Sequence, residues 1–274
     1  TSKITVNKEI RIDLAGFRLS GAAQYTLQLS AGANVTVFDS SDGAAGVITN
    51  TYSGSAGPAT VDLQGAGAVF TLESGTVLSN AKDNLYTIAI SNSKKAACTV
   101  NINGGTVSNP DGHVKSRAIS ASNGMTLNIN GGTVSGGLYA LDTYVGSVSN
   151  INGGKLFANA NDGRSDEYGT SYAIHAKGEA KISIGSSSAA TTPNVKGIKF
   201  ESSGVNTELP TINLVKGEIT NPIYSLETKY NYSLFKLGII AGAPVTFTDN
   251  TASFFLPDDL QMVQNGSIWT VTAK

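Results

Sequence analysis

Asp142, His175, Lys199 and Glu227 are the residues whose types and spacing promise the most chemistry. Each closes a recurring four-residue element. The element first occurs as Tyr25-Thr26-Leu27-Gln28, Ile88-Ala89-Ile90-Ser91 and Arg117-Ala118-Ile119-Ser120, and the last four copies are Tyr139-Ala140-Leu141-Asp142, Tyr172-Ala173-Ile174-His175, Lys196-Gly197-Ile198-Lys199 and Tyr224-Ser225-Leu226-Glu227. Stacked as neighbouring strands about 4.8 Å apart, with Ile and Leu inward, they place the four end residues in one exposed column. Two carboxylates flanking an imidazole and an amine would make a general acid/base cluster on a polysaccharide groove, with His175 titrating near neutrality. The same column also reads as a surface ladder of alternating charge, in which each pair contributes little. Tyr139, Tyr172 and Tyr224 share the first position of the element. On an outer face they offer a strip of rings for sugars to stack on; on an inner face they fill the core. Strict alternation puts Tyr139 with Leu141, which favours burial.

Other candidates are sparser. The polar stretch 159–170 carries Asp162, Asp166 and Glu167, whose oxygens suit calcium if the loop gathers them. Their spacing is not that of an EF-hand loop, because Gly163 falls at the second position and no ligand follows at the twelfth. Asp39, Asp42 and Asn34 suggest calcium in the same way. His113, Lys115 and Arg117 alternate and form a basic strip, which would meet acidic glycans or pair with Asp111 and Asp83. Neither a Gly-rich phosphate loop nor a zinc spacing nor a Ser-His-Asp order occurs. No residue is therefore assigned a catalytic role, and calcium is the one cofactor the sequence suggests.

The elements that must position these residues repeat. Thr99-Val100-Asn101-Ile102-Asn103-Gly104-Gly105-Thr106-Val107-Ser108 returns as Thr126-Leu127-Asn128-Ile129-Asn130-Gly131-Gly132-Thr133-Val134-Ser135, and more loosely from Val148 to Leu156. The second glycine recurs at 16, 46, 75, 105, 132, 154, 185 and 217. That step fits a coil of short strands and turns, which needs roughly 20 to 30 residues. Within each copy, apolar residues alternate with polar ones: Val100 and Ile102 against Asn101 and Asn103, Ile182 and Ile184 against Ser183. Period two with β-branched residues marks a strand with one buried face. The Asn columns need no ligand, since stacked amides hydrogen-bond one another. Repetition at a coil period predicts an all-β, right-handed, single-stranded parallel β-helix of about eight coils. A β-sandwich has no reason to repeat one motif in this way.

One domain is expected, with 1–21 as an opening coil, 22–243 as repeat coils and 244–274 as an aromatic C-terminal cap closed by an Asn265-Gly266 hairpin turn. The chain has 274 residues, net charge −1 and 14 % charged residues. Binding to nucleic acid as a main activity needs a basic field that this chain lacks. The single cysteine, Cys98, alternates with Val100 and belongs in the core. No run approaches 18 apolar residues, so no membrane insertion is expected. Little charge with much Gly, Ser, Thr and Asn suits an extracellular or cell-surface protein.

Ile10-Arg11-Ile12-Asp13-Leu14-Ala15-Gly16-Phe17-Arg18-Leu19-Ser20-Gly21 resembles the opening of β-helical surface proteins of gut-type bacteria. Val35-Thr36-Val37-Phe38-Asp39-Ser40-Ser41-Asp42-Gly43, the Ile-Asn-Gly-Gly runs, and Gln264-Asn265-Gly266-Ser267-Ile268-Trp269-Thr270-Val271 are similar to their repeats and terminus. The resemblance covers most of the chain and implies a pectate-lyase-like fold and an extracellular setting. It transfers no catalytic residue. The expectation is a non-catalytic, adhesin-like module that binds polysaccharide, a cell-surface glycan or a host surface protein, or serves as a rigid spacer. A polysaccharide lyase or glycoside hydrolase, and a phage fibre or virion decoration protein, are the alternatives. Oligomeric state is not legible.

Overall fold

The computed structural model describes residues 3–81, 87–110, 116–159, 172–202, 209–225 and 235–274. Three long sheets, A, B and C, run along a common axis, and the chain visits them in turn. The first coil contributes Ile4–Val6 to sheet A, Glu9–Asp13 to sheet B and Arg18–Gly21 to sheet C. Each later coil lays its strands in parallel on those of the coil before. Among the described residues, sheet A has nine strands, sheet B eight and sheet C eleven. This is the parallel β-helix that the repeat predicts.

The register explains why the motif repeats. In sheet B, Val35, Phe70, Val100 and Leu127 stand one above another. So do Val37, Leu72, Ile102, Ile129, Ile151, Ile184 and Leu214. These side chains are buried and belong to one continuous core. Each contributes about 1.5–3 kcal/mol by leaving water. Cys98 is buried in the same core, and burial, with the nearby Asp62 charge, pushes its thiol up to about 11.

The outward positions of sheet B stack as regularly. Asn128 Nδ2 donates to Asn101 Oδ1 at 2.9 Å and Asn150 Nδ2 to Asn128 Oδ1 at 2.9 Å. A parallel row runs from Asn152 to Asn130 to Asn103 and ends on Glu73 Oε1. The glycine after each row turns the corner with φ near +75°, a region that a Cβ disfavours: +70° at Gly105, +75° at Gly132 and +81° at Gly154. A Cβ on Gly132 would also lie 2.5 Å from the Gly105 carbonyl oxygen.

Two details differ from the sequence expectation. The strand Ala59–Leu63 occupies sheet A between Tyr25–Leu29 and Ile88–Ser91, filling a double step that the recurring element leaves open. Residue 244 does not end the repeat, because Val245–Phe247 still pairs in parallel with Gly217–Ile219. The cap itself is the antiparallel hairpin Leu260–Asn265 and Ile268–Ala273, turning at Asn265-Gly266 as expected. Phe255 is buried against Phe200 and Phe235, while Phe254 stays exposed.

Ile129→Ala is expected to cost about 2–5 kcal/mol, because its slot is closed by the coils on both sides. Asn130→Ala, on the exposed row, is expected to cost about 1 kcal/mol or less. Urea unfolding of the two variants measures the difference.

Candidate functional site

The register of sheet A sets Asp62, Ser91, Ser120, Asp142, His175, Lys199 and Tyr224 in one line. Asp142, His175 and Lys199 are neighbours, as the sequence column requires. The fourth place belongs to Tyr224, not Glu227. The strand Ile223–Ser225 sets Ile223 against Ile198, so Ile223, and not Leu226, takes the apolar slot. Glu227 lies outside the described residues, as do Asp162, Asp166 and Glu167, together with His113 and Lys115 of the basic strip.

The column is also not exposed. Asp142 is 0 %, His175 7 % and Lys199 6 % accessible. On strand Tyr139–Thr143 both faces are buried. The charges are therefore not solvated, and each must be compensated by a neighbour.

The compensation is explicit. Asp142 Oδ2 accepts from Arg117 Nε and, at 2.7 Å, from the Tyr144 hydroxyl. Asp142 Oδ1 lies 2.8 Å from His175 Nδ1. On its other side, His175 Nε2 is 3.4 Å from Glu201 Oε1, near enough for an ion pair but not aligned as a hydrogen bond. Lys177 Nζ holds the same Glu201 oxygen at 2.6 Å. Signs alternate along the stack: Arg117, Asp142, His175, Glu201, Lys177.

Aromatic rings flank it. Tyr139 stacks on His175 with centroids 4.6 Å apart, and Tyr172 stacks on Tyr224 at 5.8 Å. Lys199 Nζ lies 5.9 Å from the Tyr172 ring centre. Tyr139 and Tyr172 are buried and Tyr224 is half-buried, so they do not form the open sugar-stacking strip. Tyr139 is buried, as its alternation with Leu141 favours. Ala140 and Leu141, although consecutive, both lie in the apolar core, while Tyr139 lies against His175.

Electrostatics follow from the geometry. Burial works to lower the pKa of His175, yet the hydrogen bond to Asp142 and the two flanking carboxylates outweigh it and hold the pKa above 6.5. Burial would raise Asp142, but His175, Arg117 and Tyr144 keep it below the ordinary carboxylate range. Glu201 falls to about 2, burial again being outweighed by His175 and Lys177. An imidazolium with both nitrogens facing carboxylates has no proton-accepting atom free. Asp142 has both oxygens engaged. The arrangement suits a fixed ion stack better than an acid/base pair.

Arg117 leaves the expected basic strip to serve Asp142. Asp39 spends its oxygens on backbone: Oδ1 accepts from Gly16 N at 2.9 Å and Ser41 N at 3.0 Å, and Oδ2 accepts from Gly46 N. Despite its burial, those amides bring its pKa down to about 2, and it acts as a loop clasp. Among the described residues no three His, Cys, Asp or Glu side chains converge as metal ligands, and no helix is long and apolar enough to cross a membrane. Sequence reading missed Asp62, Tyr144, Lys177 and Glu201. The double step between residues 25 and 88 was the signal for Asp62. Glu201 and Lys177 sit two residues beyond the element's last position, on the same face, and extending the alternation would have found them.

No protein-family model matches the chain, and no curated protein or solved structure matches it either.

The stack makes stability depend on pH at both ends. His175, with its pKa raised by folding, stabilises fully below about pH 6.5, and that contribution is lost as pH rises through the folded-state value. Asp142 and Glu201, with lowered values, stabilise above about pH 4.5, and theirs is lost as pH falls toward 2. Thermal unfolding from pH 3 to 10 is expected to show a plateau between these limits, and His175→Gln is expected to flatten the alkaline limb.

Proposed function

We propose that the chain is a non-catalytic, adhesin-like β-helix module of an extracellular or cell-surface protein, which binds glycan and holds its binding face on a stiff solenoid. The observation that carries this reading is the state of the residues with catalytic potential. Asp142 and His175 are buried and Glu201 is half-buried, and they neutralise one another through fixed partners. A general acid/base pair needs a proton-accepting atom within reach of substrate, and this stack presents none.

The resemblance of Ile10–Gly21 and of the Ile-Asn-Gly-Gly runs to β-helical surface proteins points the same way. So does the polar, weakly charged outer face of sheet B, where side-chain amides repeat over three successive coils. A regular array of hydroxyl and amide groups on a rigid sheet matches the donors and acceptors of a sugar chain better than it matches an apolar protein partner.

The test combines a glycan array with reducing-end and unsaturated-product assays on plant, animal and bacterial polysaccharides, each with and without calcium. Retention of one or more glycans with no product is expected. Product formation that disappears in Asp142→Asn or His175→Gln would make the stack an active site and overturn the proposal.

A further inference from the structure

Beside the ion stack, the corner turns between sheets A and B in three successive coils frame a cleft of about 480 Å³. Lys95, Arg117, Ser120, Ser122, Asn123 and Tyr144 line it together with apolar Ile88 and Val145, and most of its exposed wall is carbon. Its walls are tied together. Ser122 N donates to Asn92 Oδ1 at 2.9 Å, Asn92 Nδ2 donates to the Asn123 carbonyl at 3.2 Å, and Gly124 N donates to the Gly146 carbonyl at 3.1 Å. A cleft braced in this way needs little ordering when a ligand enters.

Lys95 is the unusual member. It is exposed, and its backbone has φ +54°, in the left-handed region that residues other than glycine, asparagine and aspartate rarely adopt. Its amide donates to the Asn92 carbonyl at 2.8 Å, which fixes the turn. Among the described residues no carboxylate forms an ion pair with it. Backbone strain at a position that aims a charged side chain into a cleft is a reason to look for a ligand.

Among the described residues no carboxylate lines the cleft. The nearest, Asp142, lies buried and is held by Arg117, Tyr144 and His175. Arg117 is thereby neutralised, and the cleft joins one cation open to a ligand, Lys95, to two serine hydroxyls, one amide and one tyrosine. We propose that it binds an acidic saccharide, with the sugar carboxylate near Lys95 and the ring hydroxyls on Ser120, Ser122 and Asn123. A neutral sugar leaves the Lys95 ammonium without a counter-charge, and a free small anion leaves the hydroxyl and amide groups without work. This inference rests on the glycan-binding reading above and names the ligand class and the place.

The experiment titrates the intact protein with hexuronate oligosaccharides, with neutral oligosaccharides of the same length and with sulfated ones, followed by calorimetry. Lys95→Gly removes the ammonium and keeps the left-handed turn without strain. It is expected to weaken hexuronate binding about tenfold or more, while Lys95→Arg restores it and Lys181→Ala, an exposed cation on sheet B, leaves it unchanged. Binding is also expected to weaken as salt rises. Hexuronate binding equal in the parent and in Lys95→Gly, or preference for the neutral or sulfated series, would overturn the cleft assignment and leave the glycan-binding module standing. Silence across all three series and across the glycan array would remove both.

Discussion

Each coil is held by the coils above and below it, through a parallel hydrogen-bond ladder that places like positions about 4.8 Å apart. Everything else follows from that spacing. An inward position is apolar in almost every coil, because it meets the same position one coil away and the inward residues of the other sheets; Ser149, between Leu127 and Ile182, is an exception. Val37, Leu72, Ile102, Ile129, Ile151, Ile184 and Leu214 meet that demand. An outward polar position must pair with its copies, as the asparagine rows do. A buried polar position has the least freedom of all, since a charge there can be answered only along the stack.

Sheet A shows the last case. Arg117, Asp142, His175, Glu201 and Lys177 alternate in sign, each charge lying against an opposite one. Upstream, Asp62 is satisfied by hydroxyls and amides instead: Ser91 Oγ at 2.5 Å, Ser93 Oγ at 2.6 Å and Gln64 Nε2 at 2.7 Å. Removing one partner from such a stack leaves a buried charge uncompensated, which costs more than the intact pair contributes. The same fixation that protects the fold takes these groups out of acid/base chemistry. What remains open to solvent beside them is a cleft that Lys95, serine hydroxyls and apolar side chains line.

Much of this was legible in the sequence, and the limits are physical. The repeat gave coil length, strand identity in sheet B and the amide rows, because period-two alternation survives there unbroken. It placed Asp142, His175 and Lys199 side by side for the same reason. It failed at Glu227, because the register sets Tyr224 beside Lys199. It also assigned the column to solvent, since alternation marks two faces of a strand and is silent on whether the second face is covered. The partners Glu201 and Tyr144 lie two residues beyond the element's last position, so the motif alone does not include them.

The protonation state of His175 tests the account most directly. Imidazole ¹⁵N and ¹³C chemical shifts of selectively labelled protein, followed from pH 5 to 9, report it residue by residue. A structural ion ladder requires the imidazolium to titrate above the ordinary histidine midpoint of 6.5, held there by Asp142 and Glu201. A midpoint at or below that value would mean a neutral ring with a nitrogen free to accept a proton, and would contradict the reading of the stack as a structural ion ladder.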